Sequence, residues 1–134
     1  MRRTFVDSGV LIAAARGFDR TSDAAFSILD DPERQFASSL FVKLETIPKA
    51  TYHKRAAERE FYEKFFDRVS AWALFDSDLA ETAFVAACNA GLSAIDSLHI
   101  AAAHQTRCEE FVTTEKPNKP LHRTNLIAIK SIHS

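Results

Sequence analysis

The chain has 134 residues, 46% of them hydrophobic and 26% charged, with 3 glycines and 4 prolines. That balance suits a globular domain with its own core and excludes a disordered or low-complexity chain, so residues 1–134 read as a single domain. A formal net charge of −1 excludes binding to nucleic acid through bulk charge alone. No run approaches the roughly 18 apolar residues of a membrane span.

In chain order, RTFVD reads as a short strand and SGVLIAAAR as a helix stopped by Gly17. The opening MRRTFVDSGVLIAAARG has the arginines, apolar stretch and small residues of a signal peptide. Asp7 interrupts the apolar part and Arg16 follows closely, so a strand entering a helix fits better. SDAAFSILDD has helical spacing and ends before Pro32, and RQFASS is a second strand candidate. Leu40, Leu44 and Ile47 then form a helical stripe that Pro48 is expected to end or kink.

From Lys54 to Ser70 a charged run carries Ala57, Phe61, Tyr62, Phe65, Phe66 and Val69 on one side, the pattern of a long amphipathic helix. AWALF is a strand candidate. Asp76 or Ser77 caps the next helix, whose expected inner face is Leu79, Ala83, Phe84, Ala87 and Ala90, ending at Gly91. Ser93 opens a further helix in LSAIDSLHIAAA, and EFVTT and LIAIKSI read as strands. Strands alternating with helices predict an α/β fold with a parallel sheet covered on both faces.

Cys88 and Cys108 are far apart with no CxxC, which fits free thiols in a reducing cytoplasm. His99 and His104, five apart, do not share a helix face, so a histidine metal site is not expected. After Glu115 there is no further acid, while Lys116, Lys119, Arg123 and Lys130 follow. This tail suits contact with phosphate, and a solvated loop explains it equally well.

Four acids fall where such a fold gathers ligands, at strand C-terminal ends and the helix starts that follow them. Asp7 ends the first strand, Glu45 lies about two turns into the helix after the second, and Glu115 closes EFVTT. Asp96 joins them only if its helix, which follows another helix, points its N-terminus at the same edge. Each acid also has an ordinary structural role open to it. Asp7 suits an N-cap, Ser93 to Asp96 fits a capping box, and Glu45 and Glu115 suit exposed positions. Together, uncompensated carboxylates would repel one another and raise their pKa values, a cost that a hard divalent cation cancels. Such a cation acidifies bound water and polarises a phosphoryl oxygen, which suits phosphodiester hydrolysis.

FVDSGVLI, LFVKLETIPKA, LSAIDSLHIAAA and FVTTEKP resemble, in order, the four acid-bearing motifs of PIN domains, a family that includes the toxin ribonucleases of VapC-type toxin–antitoxin pairs. The resemblance implies a Rossmann-like three-layer α/β/α sandwich with a central parallel sheet. It also implies a ribonuclease dependent on Mg²⁺ or Mn²⁺, frequent homodimers and, for toxins, a cognate antitoxin protein. By position, Asp7, Glu45 and Asp96 match the first three acids. Glu115 stands where the family usually has Asp, so its carboxylate reaches about one bond further, to bind metal through water or not at all. Ser8 and Thr113 occupy hydroxyl positions that support the site. The tail KPNKPLHRTN departs from the acid-containing turn of many relatives; its Lys116, Lys119 and Arg123 would grip RNA phosphates or belong to a solvated loop. Two readings follow: a metal-dependent endoribonuclease, or a catalytically degenerate PIN-like module that binds RNA or a protein partner. A haloacid-dehalogenase-type phosphatase is excluded because Gly9 stands where its second Asp is needed, and a dinucleotide-binding enzyme because no G-x-G-x-x-G turn is present.

Overall fold

The fold is that of a computed structural model describing residues 1–133. In chain order it runs β1 (Arg2–Val6), α1 (Ser8–Arg16), α2 (Arg20–Leu29), β2 (Arg34–Ser38), α3 (Leu40–Tyr52), α4 (Ala56–Arg68), β3 (Ala71–Trp72), α5 (Ser77–Ala90), α6 (Ala94–Gln105), β4 (Glu110–Thr113) and β5 (Ala128–Ser131). A short 3₁₀ turn, Pro120–Arg123, precedes β5. The five strands form one parallel sheet in the order β3-β2-β1-β4-β5. This is the α/β architecture expected from alternating strand and helix patterns.

The central strands bury apolar residues because helices cover both of their faces. Phe5, Val6, Phe111 and Val112 are fully buried, and the Phe5 and Phe111 rings stack at 5.5 Å. Phe36 meets Phe65 of α4 edge-on at 5.4 Å. The edge strand β5 instead alternates exposed and partly buried residues. Since β1 connects onward to β2 on one side and lies beside β4 on the other, the chain switches direction between β1 and β4. Ligand crevices of open parallel sheets form at such a point, outside the strand C-terminal ends.

Some sequence expectations shift in detail. AWALF keeps only Ala71–Trp72 as strand, because β3 pairs with β2 alone at the sheet edge. Pro48 neither ends α3 nor stands at its boundary, for the helix runs four residues beyond it. Its lost backbone donor is tolerated where Val42, Thr46 and Ala50 anchor the buried face. Leu40 and Leu44, predicted in the apolar stripe, are largely exposed, as is Phe84 on α5, where Ala86 takes the inward position. Both Cys88 and Cys108 are free thiols. Among the described residues, no helix is long and apolar enough to cross a membrane.

Candidate active site

Asp7 follows β1 directly and is the N-cap of α1, its Oδ1 accepting from the Gly9 amide at 2.9 Å. The other oxygen, Oδ2, accepts from the Thr113 hydroxyl at 2.6 Å, and the Glu115 amide donates to Thr113 Oγ1 at 3.0 Å. The end of β4 therefore holds the acid at the end of β1. Gly9 is needed where these segments meet: a Cβ there would lie 2.5 Å from Thr114 Oγ1 and 3.2 Å from Asp7 Oδ1. Burial raises the Asp7 carboxyl from 3.8 to about 6, outweighing the Thr113 hydrogen bond and the nearby His99, which act the other way.

Glu45, in the second turn of α3, is held by His99. Nε2 of the ring lies 2.6 Å from Glu45 Oε1. A carboxylate only accepts, so Nε2 carries the proton in this contact. The His99 hydrogen bond, reinforced by the Ser8 hydroxyl, outweighs desolvation and lowers the Glu45 carboxyl below its ordinary value. His99 is 2% exposed, packs 6.2 Å from the Phe5 ring, and has no partner at Nδ1. Sequence reasoning missed it by testing only histidine pairs as ligands. The signal was its place one helical turn after Asp96, on the same face of α6.

Asp96 stands in the first turn of α6, where its amide donates to the Ser93 hydroxyl at 3.2 Å. Only half of the predicted capping box forms. The Asp96 carboxylate does not return a hydrogen bond to the backbone of Ser93, and its oxygens have no hydrogen-bond partner among the described residues. The helix N-terminus does point at the common edge. Asp7, Ser8, Glu45, Asp96, His99 and Glu115 line one cavity of about 360 Å³. Glu115 lies two residues beyond β4 rather than closing it. Its carboxylate has no partner among the described residues, while its carbonyl accepts from Ser131 Oγ at 2.7 Å and pairs with His122 at 3.2 Å. Lys116 and Lys119 are exposed on the same loop. Arg123 is not part of this cavity: its Nη1 donates to the Ala90 carbonyl at the end of α5, 3.3 Å away, and it lines a separate depression.

The four carboxylates thus share a cavity without forming a closed cage. No group of three His, Cys, Asp or Glu side chains is set to enclose a metal ion among the described residues. The four carboxylates offer oxygen donors of the kind that hard divalent cations take.

The sequence matches the family model described as PIN domain over residues 4–116. The chain belongs to the PIN domain family. No curated protein matches the sequence. Among solved structures, this PIN domain is similar to a chain of VapBC2 from Rickettsia felis bound to a DNA fragment from their promoter. The two share 12% identity at a TM-score of 0.72, over 96% of this chain and 98% of that one. A toxin–antitoxin complex from Klebsiella pneumoniae gives 17% identity and a TM-score of 0.71, over 97% and 98% of the two chains. DNA-bound VapBC from Salmonella typhimurium gives 17% and 0.69, over 98% and 99%. At these identities the likeness establishes a shared fold across nearly the whole chain.

Proposed function

We propose that this PIN domain is a metal-dependent endoribonuclease acting as the toxin of a type II toxin–antitoxin pair. The observation that carries the reading is Asp7. It is buried at the switch point of the sheet, its carboxyl is raised to about 6, and it shares its cavity with Glu45, Asp96 and Glu115. No lysine or arginine forms an ion pair with it among the described residues. Asp7, Asp96 and Glu45 would hold Mg²⁺ or Mn²⁺, with Glu115 supporting the site through water. The bound cation would supply Lewis acidity, lowering the pKa of a water and polarising a phosphoryl oxygen.

The protein's own contribution is to fix these acids before substrate arrives. Thr113 aims Asp7, His99 aims Glu45, and Ser8 at the start of α1 adds a hydroxyl beside Glu45. Asp96 and Glu115 keep free carboxylates that can turn toward a ligand. Lys116 and Lys119, next to Glu115, are placed to meet phosphate. Arg123 would contribute only after leaving the end of α5.

The similar structures are toxin–antitoxin complexes, which supports an antitoxin protein as the partner of this chain. Exposed Leu40, Leu44, Leu74 and Phe75 support a homodimer, since apolar side chains of this size commonly mark interfaces when they cluster. Two free thiols and the absence of a membrane-spanning helix among the described residues agree with a cytoplasmic setting.

The decisive experiment incubates purified protein and its Asp7→Asn variant with RNA in Mg²⁺, Mn²⁺ or EDTA. Cleavage by the parent alone, and only with metal, is the expected result. Equal outcomes for parent and variant would reject the catalytic reading. The second reading, a degenerate PIN module that binds RNA or a protein, draws on the open arrangement of the acids and on Glu115 in place of Asp. Calorimetry separates the two, because a degenerate pocket takes up no Mn²⁺ at millimolar concentrations.

A further inference from the structure

Beside the acidic cavity, and sharing Glu45 with it, lies a second cavity of about 210 Å³ in which basic side chains outnumber acidic ones. Its walls carry Arg16 from the end of α1, Lys49 one turn beyond Glu45 on α3, and His53 and Arg55 from the α3–α4 turn. The turn is set by Lys54, whose φ of 58° lies in the left-handed region, and the Arg55 amide folds back onto the Ala50 carbonyl at 2.8 Å.

These cations are held in place. Glu58 Oε1 lies 3.3 Å from Arg16 Nε and 4.0 Å from Arg55 Nη1, while Oε2 accepts from the buried Tyr62 hydroxyl at 3.0 Å. The Glu58 side chain is 11% exposed, whereas those of Arg16 and Arg55 are 49% and 45% exposed. One shielded carboxylate thus positions two half-exposed guanidiniums from different elements. Lys49 forms no ion pair among the described residues and is exposed. Three permanent cations therefore share this cavity with two carboxylates, Glu58 and Glu45, the pKa of the latter lowered first by His99 and in smaller part by the Lys49 charge, and the surplus positive charge lies directly against the acidic cavity. Guanidinium forks match phosphate oxygens in geometry as well as charge, and an ammonium adds a mobile point charge.

We propose that this basic cavity binds backbone phosphates of the RNA strand on one side of the scissile bond. The strand then leaves the acidic cavity over Glu45 and follows α3 toward the α3–α4 turn. The inference rests on the ribonuclease reading and adds to it a direction for the substrate. It also moves the main phosphate grip from the C-terminal tail, where Arg123 is engaged with α5, to α1, α3 and the α3–α4 turn.

The test measures binding of a labelled single-stranded RNA to the Asp7→Asn protein, which binds without cutting, across a series of salt concentrations. Lys49→Gln and Arg55→Gln are added singly and together. Lys64→Gln, an exposed cation on α4 paired with Glu60, serves as the control. For a single strand the slope of log affinity against log salt is about −0.7 per neutralised phosphate. Each variant should therefore flatten the slope by about 0.7 and the pair by about 1.4, with the control unchanged. Thermal melts of all variants confirm that the fold is kept.

Unchanged slopes in both variants, with RNA still bound, would overturn the basic cavity and leave the ribonuclease reading standing. No RNA binding by any form would remove both. Loss of binding to polyglutamate, with RNA binding intact, would also overturn the proposal by making the occupant an acidic protein segment.

Discussion

Two buried acids stand at opposite ends of the sheet, each 8% exposed, and the molecule treats them differently. Glu110 opens β4 at the N-terminal edge. Its Oε2 accepts from Arg34 Nε at 2.8 Å and from the Thr4 hydroxyl at 2.7 Å, and Arg2 stands 3.6 Å from Oε1. Burial alone would raise its pKa, but the Arg34 and Thr4 hydrogen bonds and the two arginine charges outweigh that and lower it. Asp7, at the C-terminal edge, has more protein packed around it and only hydrogen-bond donors at its oxygens, and its carboxyl rises to about 6. The charge of Glu110 is settled inside the fold. That of Asp7 meets hydrogen-bond donors alone, with no ion pair among the described residues.

The contrast breaks most sharply at Asp7. Asp7→Asn should cost more than the roughly 100-fold in ribonuclease activity that outer partners of a metal site typically cost. It should also leave the metal-free protein at least as stable as the parent above pH 6. The native carboxyl holds its proton more readily than the unfolded one, whose pKa is near 3.8. Its contribution to stability is therefore complete below about pH 4 and is lost as pH rises through about 6. At pH 8 the ionised acid costs the fold on the order of 3 kcal/mol, which Mn²⁺ should recover in a thermal melt of the parent but not of the variant. A variant that melts lower at pH 8 would refute this account.

At the other edge the expectation reverses. Arg34→Met strands Glu110 without its nearest cation, and breaking a buried pair of this kind costs about 3–5 kcal/mol. Urea unfolding should show that loss, while cleavage per folded molecule stays at the parental rate. Because the Glu110 pKa is lowered, its stabilisation is present above 4.5 and fades as pH falls through the native value, so parent and variant should converge in acid.

His99 sharpens the picture within the site. His99→Leu should lower both cleavage and Mn²⁺ affinity by about 10–100-fold, and His99→Gln, which can still donate to Glu45, should recover part of each. Equal defects in the two variants would reduce His99 to a packing residue. The smallest effect falls on Glu115: Glu115→Gln should cost less than about tenfold if that acid acts through a water. A loss as large as that of Asp7→Asn would make it a direct ligand.

Most of the architecture was legible because short strand patterns alternate with helical ones and the helices carry clear stops at Gly17 and Gly91. Two boundaries had no such signal. After α3 and α6 the left-handed positions are occupied by Lys54 and Arg107 instead of glycine, and those turns are closed by backbone hydrogen bonds, Arg55 N to Ala50 O at 2.8 Å and Cys108 N to Ala103 O at 3.1 Å, that composition does not announce. The faces of α3 and α5 were misjudged at Leu40, Leu44 and Phe84, where apolar side chains point outward and hydropathy cannot tell a core from a surface patch. Asp7, Glu45 and Asp96 were legible as residues that share an edge. Their partners were not. The Thr113 bond to Asp7 spans 106 positions and the His99 bond to Glu45 spans 54, separations that no local pattern encodes.

The alanine run of α6 sets a tolerance for the whole site. Ala101, Ala102 and Ala103 are at most 1% exposed, so only methyl groups separate this helix from its neighbours. The same rigid rod carries Asp96 in its first turn and His99 in its middle, one turn before Ala102. A leucine at position 102 would lever that rod outward and misalign both side chains without altering a single polar atom, so silencing this protein would require nothing more than extra bulk two turns away from the acids.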